Sequence, residues 1–173
     1  IKTPLVIDFD LNDKSATSAF QIIKAEEGAS VTVIFRYRSP KNAGGTQILR
    51  TICDAGKNAF IHLVKVQLLG DGFVQVDDIG TTCAEGGRVE LTHVILGGKE
   101  TYTGATGTLP AFGGSFKADT AYLCRAEQKL DMNYVVRQIG KKTDCQMNAR
   151  GTLCDRAVKT YRGSIDFING SAG

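Results

Sequence analysis

Asp8 and Asp10 stand two residues apart in the stretch LVIDFDLND, interleaved with Ile7, Phe9 and Leu11. In an extended strand successive side chains alternate, so both carboxylates fall on one face and the apolar residues on the other. Enclosed in an apolar cavity, two such carboxylates would not both stay ionised. Desolvation and mutual repulsion would raise one pKa, and that group could serve as a general acid or base. On a solvated face the same pair would do no chemistry. Asp8 and Asp10 are the candidate catalytic residues on the condition that they face an enclosed interior.

The remaining chemistry-bearing residues are two histidines and five cysteines. His62 and His93 lie in the alternating segments AFIHLVKVQLL and RVELTHVIL, without H-x-H or H-E-x-x-H spacing, so no metal site is expected. No P-loop or dinucleotide fingerprint is present, so no cofactor is expected either. The cysteines contain no C-x-x-C pair. If Ala149-Arg150 tips a two-residue hairpin, Cys145 and Cys154 lie opposite each other and a cross-strand disulfide is expected. Cys53 with Cys83 is the second expected pair, which leaves Cys124 free. Cysteines in this number, an N-terminal Ile1 and the acceptor triplet Asn169-Gly170-Ser171 together suggest a secreted, processed protein.

The elements that must position these groups read as strands. SVTVIFRYR places Val31, Val33, Phe35 and Tyr37 on one face. AFIHLVKVQLL places Phe60, His62, Val64, Val66 and Leu68 together. RVELTHVIL places Val89, Leu91, His93 and Ile95 together, and SFKADTAYLCRAEQ places Phe116, Ala118, Thr120, Tyr122, Cys124 and Ala126 together. Period-two alternation rich in β-branched and aromatic residues marks half-buried strands. Glycine-rich punctuation (SPKNAGG, GDG, EGG, FGG) separates them. Only Ser15 to Lys24 suggests a helix. Two stretches, KETYTGATGTL and VKTYRGSIDFI, share Thr-Tyr-x-Gly, which predicts equivalent bends at Gly104 and Gly163. The expectation is one all-β domain over residues 1–173, an antiparallel up-and-down β-barrel of roughly ten strands with little helix. Phe35, Tyr37, Phe60, His62, Phe116 and Tyr122 would line its interior and bind a ligand.

The stretch LGGKETYTGATGTL resembles the glycine-rich corner of the dirigent and allene oxide cyclase-like β-barrels. GDGFVQVDD followed by GGRVELTHVILGG is similar to their order of strand, loop, strand and corner, and LVIDFDLND to their first strand. The resemblance implies a secreted barrel that holds a hydrophobic small molecule and steers its cyclisation or coupling, with Asp8 as the inward acid. Two alternatives share the fold: a non-enzymatic ligand carrier, and a structural or interaction protein (adhesive, defence or matrix) whose barrel is filled by side chains. Whether the chain is an enzyme stays open. A net charge of +3 without a basic run argues against nucleic acid. No segment approaches the ~20 apolar residues of a membrane span. Oligomerisation is compatible with all three readings.

Overall fold

The computed structural model describes residues 3–168. Twelve strands follow one another: β1 Leu5–Asp10, β2 Ser15–Ala25, β3 Ser30–Arg38, β4 Gly44–Ala55, β5 Phe60–Leu68, β6 Gly72–Cys83, β7 Arg88–Ile95, β8 Glu100–Leu109, β9 Ser115–Cys124, β10 Lys129–Gln138, β11 Asp144–Leu153 and β12 Val158–Phe167. Odd strands form one sheet in the order β1-β3-β5-β7-β9-β11, and even strands form the other. Every pairing is parallel. The described residues therefore form a β-solenoid of six turns, each turn giving one strand to each sheet.

The expected antiparallel barrel is thus incorrect, and the reason is physical. Alternation reports that one face of a strand is buried, and it is silent on which strand lies alongside. Consecutive strands here belong to opposite sheets, and each pairs one full turn away. Lys129, for example, sits beside Glu100 on one side and Val158 on the other, 29 residues away in each direction. The glycine-rich segments are corners between sheets rather than hairpin tips.

Those corners carry their own repeat. Each connection from an even strand to the next odd strand holds one residue in the left-handed region: Gly28, Asn58, Gly86, Gly113 and Lys142. Four of these stack through backbone hydrogen bonds. Gly28 N–H donates to Lys57 O, Asn58 N–H to Glu85 O, Gly86 N–H to Phe112 O and Gly113 N–H to Lys141 O, at 2.8–3.0 Å. The left-handed conformation aims each N–H along the solenoid axis, so the ladder continues through the bend and few polar groups are orphaned there.

The core lies between the sheets and draws on both, with Phe35, Tyr37, Leu63, Leu91 and Phe116 from one and Leu49, Phe73, Ile79, Leu109 and Tyr134 from the other. The inward faces of β3, β7 and β9 are those their alternation indicates, except that β9 ends at Cys124 and Ala126 lies exposed in the corner beyond it. On β5 the faces are reversed: Ile61, Leu63, Lys65 and Gln67 are buried, while Phe60 and His62 point outward. The segment Ser15–Lys24, read as a possible helix, is strand β2.

The expected disulfides are also absent, since all five cysteines are free. Ala149-Arg150 lies inside β11 rather than at a hairpin tip. Cys145 and Cys154 therefore sit near opposite ends of one extended segment, about 30 Å apart at ~3.3 Å per residue. On adjacent strands Cys53 lies beside Thr81, and Cys83 beside Ala55. The two thiols are thus offset by two residues in register. Free thiols remove the cysteine argument for secretion. The Asn169-Gly170-Ser171 triplet lies outside the described residues.

The twin Thr-Tyr-x-Gly stretches are not equivalent bends. Both run through strands, and neither Gly104 nor Gly163 has a positive φ. Gly104 aligns through Asn133 with Arg162, and Gly163 aligns through Tyr134 with Ala105. The copies are one residue out of step, so Tyr102 points outward and Tyr161 packs against the core.

Candidate functional site

Inside the solenoid the two sheets meet across a line of buried polar side chains. Lys65 projects inward from β5, between Phe35 of β3 and His93 of β7. Asp77 projects inward from β6, between Leu49 of β4 and Thr103 of β8. Lys65 Nζ donates to Asp77 Oδ1 at 2.5 Å and to Thr51 Oγ1 at 3.0 Å. Thr51 in turn donates to Gln21 Oε1 at 2.8 Å, and the Gln21 amide reaches Tyr37 OH at 3.3 Å. Lys65 Nζ also lies 5.6 Å from the centre of the Tyr37 ring, within cation–π range. A charge buried this deeply persists only when paired and hydrogen-bonded, and Asp77 with Thr51 meets that condition.

Beyond Asp77 the network breaks. His93 Nε2 stands 4.0 Å from Asp77 Oδ2, which is too long for a hydrogen bond. Asp77 Oδ2, both ring nitrogens of His93 and Thr103 Oγ1 are buried without a partner. Burial pushes the His93 pKa down to about 4; Asp77 opposes that shift and Lys65 adds to it. His93 is therefore neutral at physiological pH. Burial, reinforced by Asp77, drives the Tyr37 phenol far above its ordinary value. Burial also lifts the Cys53 thiol to about 12 against the pull of Lys65, and the Cys83 thiol to about 12.

Elsewhere along the solenoid the interior is polar as well. Gln67 Nε2 donates to Thr101 Oγ1 at 2.9 Å, and Gln75 Nε2 to Gln47 Oε1 at 2.8 Å. The hydroxyls of Thr120 and Tyr134 share a 2.7 Å hydrogen bond, and Tyr134 meets Tyr161 edge-on at 5.9 Å. Cys145, half-buried on β11, accepts from Gln138 Nε2 at 3.0 Å. Cys154, just past β11, is the exposed cysteine, while Cys124 is buried. Among the described residues no group of three or more His, Cys, Asp and Glu side chains is placed to hold a metal ion.

The residues singled out from sequence do not converge. Asp8 and Asp10 share a face, but it is the outer one. Asp8 takes a bidentate contact from Arg36 at 2.6 and 2.7 Å, and Asp10 one from Arg38 at 3.0 and 3.3 Å. The Arg36 guanidinium holds the Asp8 carboxyl below its usual range, the opposite of the rise an enclosed pair would show. Phe35, Tyr37 and Phe116 are packed into the core rather than lining a chamber. Phe60 lies on the outer face, under the Arg88 guanidinium at 4.3 Å and stacked on His62. His62 hydrogen-bonds Thr92 Oγ1 at 3.0 Å. Tyr122 is half-buried beneath the Lys159 ammonium, 5.1 Å from its ring centre. Lys65, Asp77 and Thr51 are missing from the sequence reading. The available signal was a Lys and a Gln in the middle of the alternating run LVKVQLL.

The family described as SUF system FeS cluster assembly, SufBD core domain, matches residues 9–173. The chain belongs to the SufBD core family. It is not a dirigent or allene oxide cyclase-like barrel, nor a secreted barrel for a hydrophobic small molecule. The glycine corners that carried that likeness are the corners of a SufBD solenoid. No curated protein matches the chain. Among the described residues no helix is long and apolar enough to cross a membrane.

Proposed function

We propose that this SufBD core chain serves iron–sulfur cluster assembly, with the cluster as its cargo. The observation that carries this reading is the family match over residues 9–173. The state of the thiols supports it. Clusters are held chiefly by cysteine thiolates, which requires reduced and reachable sulfur. All five cysteines are free, and Cys145 and Cys154 are the two not buried. The two thiols stand about 30 Å apart and no three-ligand group forms among the described residues, so a cluster held at either one takes further ligands from another polypeptide. The chain then works inside a complex. Among the described residues, β11 and β12, the strands nearest Cys145 and Cys154, are the last of their sheets.

Maturation of iron–sulfur enzymes in the source cells tests the proposal. Depleting the chain should lower the activity of those enzymes, and wild-type chain should restore it. Cys154→Ala and Cys145→Ala chains should restore it less well. Unchanged iron–sulfur enzyme activity on depletion would overturn the reading. Full restoration by both cysteine variants would move the cargo site elsewhere in the chain.

A further inference from the structure

On the side of the solenoid where odd strands lead into even strands, the stacked connections enclose an open groove of about 1050 Å³. It runs from the β3–β4 connection, at Lys41, to the β11–β12 connection, at Arg156. The stacked connections approach one another closely at glycines. A Cβ on Gly97 would lie 2.1 Å from Leu69 O, and one on Gly70 2.3 Å from Pro40 O. Leu68 and Leu96, 40% and 47% exposed, lie open on the groove.

The walls are unevenly charged. Lys129 is engaged by Glu100 at 3.5 Å, and Arg156 is paired with Glu127. The exposed side chains of Lys41, Lys99 and Arg125 form no ion pair among the described residues. Asp71 is the one acid of the groove that is likewise without an ion pair. The groove thus combines surplus positive charge with two open leucines.

We propose that this groove docks an extended, acidic, leucine-bearing segment of a partner polypeptide. Charge complementarity selects the acid, since carboxylates would meet Lys41, Lys99 and Arg125 at separate points along the path. The open leucines select aliphatic side chains between those acids. The length also fits. Five stacked connections span four steps of ~4.8 Å, about the reach of six extended residues. A uniform polyanion such as nucleic acid is disfavoured because Asp71, Glu100 and Glu127 stand in the same walls.

Fluorescence anisotropy of a labelled octapeptide alternating glutamate and leucine tests the groove, with a lysine–leucine octapeptide as comparison. The glutamate peptide should bind saturably and the lysine peptide should not. Lys41→Glu/Lys99→Glu/Arg125→Glu should weaken binding about tenfold or more. Lys24→Glu/Lys57→Glu/Arg137→Glu, which changes net charge equally at sites outside the groove, should not. On the wild-type chain the peptide should shift the methyl NMR signals of Leu68 and Leu96, a readout independent of how the variants fold. Absence of binding, equal binding of both peptides, equal loss in the two triple variants, or unmoved methyl signals would overturn the proposal. Self-association of the chain that the groove variant abolishes would make a second copy the occupant and overturn it as well.

Discussion

The ammonium of Lys65 lies 2.5 Å from the carboxylate of Asp77, across the sheet interface, with both side chains fully excluded from solvent. Removing either partner leaves a buried charge without its counterion. Lys65→Met and Asp77→Leu should each cost about 3–5 kcal/mol. The double variant should cost much less than the sum, because it removes both charges together. Urea midpoints of the four proteins give the cycle directly, and additive losses would contradict an interacting pair.

His93 makes stability depend on pH in a stated direction. Its folded pKa, about 4, lies below the ordinary value of 6.5, so below pH 6.5 the unfolded chain binds a proton that the folded chain resists. Its contribution is fully present above pH 6.5 and is lost as pH falls towards 4, by up to about 3 kcal/mol. A His93→Gln chain should lose less stability than wild type between pH 7 and 5. Parallel curves over that range would refute the assignment.

The thiols should separate by reactivity. Cys154 is exposed, whereas burial holds Cys53 and Cys83 near 12. Iodoacetamide labelling of the native protein at neutral pH should modify Cys154 first. Cys53 and Cys83 should react only after denaturation. Peptide mapping without reductant should find all five cysteines unlinked.

Substitutions at the corners should have opposite signs. A Cβ on Gly86 would stand 2.3 Å from Asn58 Oδ1, at a φ of 62°. Gly86→Ala should therefore cost at least about 1 kcal/mol. Ala126 holds a φ of 53° with a side chain that gains nothing from it. Ala126→Gly should stabilise by about 0.5 kcal/mol, the relief of the left-handed strain less the added entropy of an unfolded glycine. Thermal midpoints of the two variants would check both signs.

What the sequence revealed was parity along a strand. Val31, Val33, Phe35 and Tyr37 do share an inward face, and so do Val89, Leu91, His93 and Ile95. That Asp8 and Asp10 share a face was equally legible. That the face is the outer one follows from Ile7 and Phe9 packing against the core. Pairing was not legible, because β3 meets β5 thirty residues on and no local signal distinguishes that partner from the adjacent strand. Parity itself misled on β5. There the buried face carries Lys65 and Gln67, so the outward face, with Phe60, Val64 and Val66, is the more apolar by composition. The buried polar line escaped for the same reason. A lysine reads as solvent-facing until Asp77, twelve residues later on the facing sheet, is known to meet it.

Because each strand finds its partner one turn back and in parallel, every completed turn presents the next with a finished template. Assembly can then advance from a growing front as the chain emerges, rather than waiting for its two ends to meet. The same geometry sets which lengths of change are admissible. Gain or loss of one residue within a strand swaps inside for outside from that point to the next corner. A duplicated block of about 29 residues, matching the Glu100-to-Lys129 interval, restores every ladder and only lengthens the stack. Lineages with this architecture can therefore change size in whole turns while keeping the spacing of whatever is mounted along it.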